Sequence, residues 1–400
     1  MSVFVGFVVW CLALHVALSQ KGDSNLNFIK SVSSNRYPVE SHEVHTEDGY
    51  ILTIFRLPSG RNSTVTGTNP VLLNHGMLGS AENWIALGPK RSLGYILADA
   101  GYDVWMMNCR GTGYSRKHEK LNPDEREFWQ FSWHEIGVFD IPAVIDHILS
   151  QTNETMLNYI GHSQGCTSVF VMGSDRPEYN DKIRIMIGLA PGVFYRHFKN
   201  DILKLAANYN KVLENFADSM RIYELPPPFM SADELRNAVK YLCVDSSLLQ
   251  NTCSKVFMLL TESKPYLYDS NSLKQIYSMM ITSVSVKQAI HYAQLVTSGN
   301  FQQYDWGPQK NLQKYGTEYP PLYNLNNITF PAALFYSKRD TLVSEENVKL
   351  LATKLPNLVG IQNVPEDFTH YDFILAKYSD TKIFRPIMRL LNRFNNKRMS

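Results

Sequence analysis

The chain has 400 residues, with 39 Lys and Arg against 37 Asp and Glu, a net charge of +2 and 44% hydrophobic residues. That length can bury a large core, and α/β proteins commonly place it in one core plus an insertion. The near-neutral balance, with no dense Lys/Arg tract interleaved with aromatics, gives no argument for nucleic acid, and no such partner is expected.

Taken in chain order, residues 1–19 read as a secretory signal peptide. Val3 to Leu18 is almost wholly apolar, and Ala17-Leu18-Ser19 offers small residues for cleavage. The basic n-region is missing, which leaves a retained anchor as the alternative; no other stretch could span a bilayer. Three N-x-S/T sequons, at Asn62, Asn153 and Asn327, agree with passage through the secretory pathway. Glu43-Val44 and Tyr50 to Leu57 flank the turn Glu47-Asp48-Gly49 and predict a hairpin. His42 and His45 lie three apart rather than the four of a zincin helix, in an alternating stretch that predicts a strand, so neither a metal nor a cofactor is expected. Val71 to Asn74 and Val104 to Asn108 predict buried strands. Ile141, Val144, Ile145, Ile148 and Leu149 mark one face of a helix, and Met156 to Ile160 a further strand. Strands at Ile183 to Leu189 and Ala332 to Tyr336 continue the alternation, which implies a mostly parallel sheet covered on both faces.

Residues 194–319 break that rhythm. They predict several helices around the stiff Leu225-Pro226-Pro227-Pro228-Phe229 segment, rich in aromatics and methionines such as Phe257, Met258, Tyr277, Met279 and Met280. The segment reads either as a helical subdomain with its own core or as a cap whose inner face binds lipid. The predicted organisation is therefore signal peptide 1–19, core 20–193, helical cap and lid 194–319, and core again over 320–400. Near the end, Arg385, Arg389, Arg393, Lys397 and Arg398 predict the solvated face of a C-terminal helix. Of the cysteines, Cys243 and Cys253 share one polar-flanked segment and fit a local disulfide in an oxidising compartment, whereas Cys109 and Cys166 read as buried thiols.

The chemistry is carried by Gly161-His162-Ser163-Gln164-Gly165. It fits G-x-S-x-G, the sharp strand-to-helix turn that lifts a nucleophilic serine out of a sheet. The strand before it and the small, apolar run Gln164 to Met172 after it supply that context. Such a serine needs a base and an orienting carboxylate, which follow it in the order acid, then histidine. After Ser163 only His197, His291 and His370 remain. The first two fall in the helical insertion, while His370 sits in a loop before a predicted helix over Tyr371 to Lys377. Asp340 follows the strand Ala332 to Tyr336 and fits the acid, with Asp367 and Glu366 as rivals by proximity. An oxyanion also needs two backbone N–H donors. Gln164, directly after the nucleophile, supplies one; Met77, after Asn74-His75-Gly76 at the end of an early strand and before a helix start at Ser80-Ala81-Glu82-Asn83-Trp84, supplies the other.

With these residues in place, the chain resembles the acid lipases of the α/β-hydrolase fold, the family of gastric and lysosomal lipases. The resemblance runs nearly end to end after the signal. It rests on Tyr37-Pro38-Val39-Glu40, Thr46-Glu47-Asp48-Gly49-Tyr50-Ile51-Leu52, His75-Gly76 with Asn83-Trp84, Tyr102-Asp103-Val104-Trp105, Arg110-Gly111, Phe128-Trp129 with Phe131-Ser132, the serine pentapeptide and Leu189-Ala190-Pro191. It implies Ser163, Asp340 and His370 as the triad, Met77 and Gln164 as oxyanion donors, and a cap with a mobile lid over an apolar acyl cleft. It also implies neutral-lipid substrates at an oil–water interface, triacylglycerol or cholesteryl ester, met by peripheral contact. Met77 stands where the family usually has leucine, Cys109 replaces serine or asparagine, and Cys166 replaces threonine. The family's cap disulfide corresponds to Cys243 and Cys253 with slightly altered spacing. A serine esterase for small soluble esters is the nearer alternative, and an inactive lipid-binding protein the more distant one. Secretion is the expected fate, with delivery to lysosomes as the alternative.

Overall fold

The computed structural model describes residues 24–63, 65–227, 235, 239, 243, 250–279, 282–365 and 367–396. The predicted signal peptide, Glu366, Pro228, Phe229, Met280, Lys397 and Arg398 lie outside the described residues.

The described residues form a nine-stranded sheet. Its main strands are β1 (Glu40–His45), β2 (Tyr50–Leu57), β3 (Thr68–Asn74), β4 (Tyr102–Met106), β5 (Leu157–His162), β6 (Ile183–Leu189), β7 (Ala332–Tyr336) and β8 (Leu358–Asn363). They lie in the order β1-β2-β4-β3-β5-β6-β7-β8, with the short strand Lys117–His118 added to β2. The β1–β2 and β2–β4 pairs are antiparallel; every pair from β4 onward across the sheet is parallel. Every residue of β4, β5, β6 and β7 is buried. A strand buried on both faces needs cover on both, so these runs are mostly apolar rather than alternating, with Asp103, Asn158, His162 and Arg184 as buried polar exceptions.

Cover comes from helices α1 (Ser24–Ser34), α2 (Leu93–Asp99), α3 (Ile141–Thr152) and α4 (Gln164–Asp175) in the first half of the chain. Between β6 and β7 stand α5 (Asp201–Ala207), α6 (Asn210–Ser219), α7 (Gln250–Thr261), α8 (Ser270–Met279), α9 (Val286–Ser298) and α10 (Pro308–Tyr315). After β7 come α11 (Glu345–Ala352), the short α12 (Asp372–Leu375) and α13 (Arg385–Asn396). Helix α13 buries Pro386, Ile387 and Leu391 and turns Arg385, Arg389 and Arg393 to solvent. No helix of the described residues is long and apolar enough to cross a membrane.

One buried cation joins three elements of the core. Arg110 donates through Nε to Asp140 at 2.7 Å and through Nη1 and Nη2 to Asp48 at 2.5 and 2.8 Å. Asp48 is the turn of the β1–β2 hairpin and Asp140 precedes α3, so the guanidinium fixes the loop after β4 against both. A planar fork with five donors on three nitrogens can pair with one carboxylate bidentately while meeting a second, which the single nitrogen of lysine cannot. Burial pushes the Asp140 carboxyl up to about 6 against the pull of Arg110.

The helices between β6 and β7 are tied back to the core at several points. Thr282 Oγ1 accepts from Gly113 N–H at 2.8 Å, Arg116 Nη2 meets Glu224 Oε1 at 2.8 Å and Arg91 Nη1 meets Asp269 Oδ2 at 2.6 Å. Cys243 and Cys253 form a disulfide within this segment, while Cys109 and Cys166 are free and buried.

Two predicted helices differ from expectation. The segment after Ser80 is a single 3-10 turn, Ala81–Trp84, ended where Ile85 N–H bonds Glu82 O at 3.1 Å; Ala81 N–H, free of any helical partner, bonds Asn108 Oδ1 at 2.9 Å. The helix after His370 stops at Leu375 rather than Lys377: Ala376 is extended, and Lys377 N–H bonds Leu267 O at 2.8 Å instead of a carbonyl one turn back.

Candidate active site

Ser163 lies between the last residue of β5 and the first of α4, with φ 52° and ψ −112°. A non-glycine residue held at positive φ is strained, and the strain is sustained by bonds on both sides. Ser163 N–H donates to Leu189 O at 2.9 Å, and Ser163 O accepts from Cys166 N–H at 2.9 Å. The flanking glycines are dictated by contact. A Cβ on Gly165 would stand 2.4 Å from Asn74 O, and one on Gly161 would stand 2.9 Å from Cys166 N. Asn74 Nδ2 donates to Tyr159 Oη at 2.8 Å, and Tyr159 Oη donates to Gly165 O at 2.7 Å. This buried chain welds the ends of β3 and β5 to the elbow.

Three loops converge on Ser163. His370, in the loop between β8 and α12, places Nε2 at 2.7 Å from Ser163 Oγ and Nδ1 at 2.8 Å from Asp340 Oδ2. An ionised carboxylate only accepts, so Nδ1 carries the proton and Nε2 is left to accept from the serine hydroxyl. Asp340 follows β7 and is almost fully buried; its Oδ1 accepts from Leu342 N–H at 3.0 Å and Val343 N–H at 2.8 Å. Helix α11 and strand β8 fill the interval from Asp340 to His370. Of the rivals, Asp367 bonds the hydroxyl of Tyr266, and Glu366 lies outside the described residues. His291 is committed elsewhere: its Nε2 donates to Gln302 O at 3.0 Å within the segment between β6 and β7, and its Nδ1 meets Ser132 Oγ of the core at 3.0 Å.

The third loop follows β3. A Cβ on Gly76 would lie 3.1 Å from Ser163 Cβ, so the chain passes beside the nucleophile just before Met77. His75 fixes this loop by donating from Nδ1 to Gly76 O at 2.8 Å and accepting at Nε2 from Cys109 N–H at 3.2 Å. That pairing needs a neutral ring, and burial pushes the imidazole down to about 4. Leu78 has φ 62°, and its carbonyl accepts from Thr282 N–H at 3.3 Å. Gln164 opens α4, and a first-turn N–H has no partner inside its own helix. The structure thus brings Ser163, Asp340, His370, Gln164 and the Met77 loop together.

Other groups at the site have no signature in the sequence. His162 Nε2 donates to His370 O at 2.9 Å, and burial, aided by the neighbouring His370, pushes its ring down to about 3. Ser337 Oγ donates to Phe368 O at 2.6 Å. Thr167 Oγ1 meets Gly192 O at 2.6 Å and Tyr292 Oη at 2.8 Å, linking α4 to the loop after β6 and to α9. The predicted glycan acceptors Asn62 and Asn153 are exposed, whereas Asn327 is half-buried and donates from Nδ2 to Ser174 O at 2.9 Å.

Comparison with known proteins gives this geometry its family. The alpha/beta hydrolase fold family matches residues 69–377, and a partial alpha/beta-hydrolase lipase region matches residues 28–88. The chain belongs to the α/β-hydrolase lipases. It is 34% identical over 380 residues to gastric triacylglycerol lipase of Bos taurus, covering 94% of this chain and 93% of that one. It is 36% identical over 376 residues to Lipase 1 of Drosophila melanogaster, covering 93% of this chain and 81% of that one. A crystal structure of a bacterial membrane phospholipase A superposes with a TM-score of 0.50 at 15% identity, covering 99% of this chain and 100% of that one, a likeness of fold. This α/β-hydrolase is a carboxylic ester hydrolase.

Proposed function

We propose that this lipase hydrolyses neutral-lipid esters through Ser163, His370 and Asp340 and an acyl-enzyme. The observation that carries the reading is the continuous relay from Asp340 Oδ2 through His370 to Ser163 Oγ, at 2.8 and 2.7 Å, on a strained strand-to-helix turn. His370 Nε2 takes the Ser163 proton as Oγ attacks the ester carbonyl. Asp340 holds the ring in the tautomer that leaves Nε2 free and stabilises the imidazolium that forms. The N–H groups of Met77 and Gln164 receive the oxyanion, each contributing about 3 kcal/mol in sites of this kind. His370 then protonates the departing alkoxide, and a water activated by the same ring releases the fatty acid.

Triacylglycerol is the preferred substrate class, supported by the relatives named for it, with cholesteryl ester as the second. Residues 194–319 act as cap and lid. A peripheral contact with the lipid surface is supported by α5 and α6, where Ile202, Leu205, Val212 and Phe216 are exposed, with Met220 exposed just after α6. The protein is secreted, reaching an extracellular or gut lumen, and Asn62 and Asn153 are its most accessible glycan acceptors.

The test is fatty-acid release from emulsified long-chain triacylglycerol and cholesteryl ester, with Ser163→Ala alongside. Release that depends on Ser163 is expected. Turnover of short soluble esters alone shifts the reading to an esterase, and retained hydrolysis in Ser163→Ala refutes the nucleophile.

A further inference from the structure

His370 stands in the middle of the turn Thr369-His370-Tyr371-Asp372, and the closing residue of that turn is fully buried. Asp372 N–H donates to Thr369 O at 3.1 Å, while Asp372 Oδ2 accepts from Thr369 N–H at 2.6 Å and Thr369 Oγ1 at 2.8 Å. The other oxygen, Oδ1, accepts from Ser263 Oγ at 3.0 Å and from the hydroxyl of Tyr268. Ser263 and Tyr268 belong to the segment between β6 and β7, more than one hundred positions away in sequence. A local capping arrangement needs only Thr369 and Asp372. Here the same carboxylate has its second oxygen filled from a different part of the chain.

We propose that Asp372 is a positioning residue for His370, gripping the base-bearing turn through Thr369 while being gripped itself by Ser263 and Tyr268. This rests on the reading of His370 as the base. Burying a carboxylate among hydroxyls is costly unless its lone pairs are met, and here both oxygens are met by two donors each. Burial pushes the carboxyl up, and the four hydrogen bonds oppose that shift. The turn is then fixed at successive residues by different elements: Phe368 O by Ser337, Thr369 N–H by Asp372, and His370 O by His162. Of these three, only the Asp372 grip involves the segment between β6 and β7, and that segment also meets the turn directly, with Ser263 Oγ 2.9 Å from Thr369 Oγ1. The position of that segment is thereby transmitted to Nε2, the atom that must stay within hydrogen-bond reach of Ser163 Oγ. A displacement of about 1 Å at such an atom costs on the order of 100-fold in rate.

The experiment uses the full, secreted chain and the soluble ester p-nitrophenyl butyrate, with kcat, KM and the rate of Ser163 phosphonylation as readouts. Asp372→Asn replaces an acceptor by a donor facing donors. It is expected to lower kcat and the phosphonylation rate about 10- to 100-fold, with KM within about twofold. Ser263→Ala with Tyr268→Phe, which leaves Asp372 and Thr369 intact, is expected to lower kcat about fivefold, and to add less than twofold on the Asp372→Asn background. Unchanged kcat in Asp372→Asn, with Ser163→Ala inactive, overturns the positioning role and leaves the triad standing. Activity in Ser163→Ala overturns the triad itself. Should Asp372→Asn fail to fold, the Ser263 and Tyr268 pair decides: a wild-type kcat there overturns the grip.

Discussion

Replacing His75 by asparagine tests whether a buried neutral imidazole makes the loop after β3 acid-sensitive. Asparagine keeps a donor where Nδ1 donates to Gly76 O and removes the titrating group. In the folded protein burial holds His75 down to about 4, against an ordinary value of 6.5. The folded value is thus depressed. Between pH 6.5 and about 4 the unfolded chain takes up a proton that the folded chain refuses, so stability falls as pH falls through that window. Integrated from pH 8 to pH 5, this one histidine removes about 2 kcal/mol of stability. Equilibrium urea unfolding of wild type and His75→Asn, followed by tryptophan fluorescence at both pH values, measures it. Whatever the substitution costs at pH 8, the gap between the two proteins should shift by about 2 kcal/mol in favour of the variant at pH 5. A gap that stays within about 0.5 kcal/mol across the range refutes the burial argument, since it means the folded and unfolded rings titrate alike.

Gly165→Ala would drive a methyl to 2.4 Å from Asn74 O; it should lower kcat about 100-fold and destabilise the fold by about 2 kcal/mol, and normal turnover on p-nitrophenyl butyrate would contradict the contact. Arg110→Lys leaves the fully buried Asp140 with at most one donor from the side chain. It should cost about 3 kcal/mol in urea unfolding, and a loss below about 1 kcal/mol would mean the fork geometry is unimportant. Val212→Glu with Phe216→Glu, both in exposed positions on α6, should weaken binding to triolein emulsions at least tenfold while leaving the rate on a soluble ester within twofold; equal loss on both substrates would place the defect in the fold rather than at the lipid surface.

The core was largely legible because its strands are buried on both faces. The expected bounds Ile183 to Leu189 and Ala332 to Tyr336 are those the structure shows, since predominantly apolar runs between polar loops leave little choice. The elbow was legible for a steric reason: Gly161 and Gly165 are needed where backbone meets backbone. Chain order and loop position narrowed the histidine to His370, but proximity in sequence could not separate Asp340 from Asp367. Only the fold shows that one faces the imidazole and the other a tyrosine of the segment between β6 and β7. Asp372 was illegible for the same kind of reason. Beside His370 it reads as an ordinary acid in the first turn of a helix, and its distinguishing partners, Ser263 and Tyr268, arrive from a distant segment. The expected helix to Lys377 failed because a tertiary hydrogen bond to Leu267 outcompetes the next helical one.

The parallel pairing of β6 with β7 closes a loop from residue 190 to residue 331. Loop-closure entropy grows only with the logarithm of length, so doubling that stretch would cost the core about 0.6 kcal/mol, less than one average hydrogen bond. The sheet therefore exerts almost no pressure on how long the intervening segment is or what it contains. Its contents answer instead to the contacts it makes with the core, among them those of Glu224, Ser263, Asp269, Thr282, Ser285, His291 and Tyr292. Length between those contacts is thus nearly free to vary, so insertions and deletions there cost the sheet little, whereas a change at a contact is felt by the core directly.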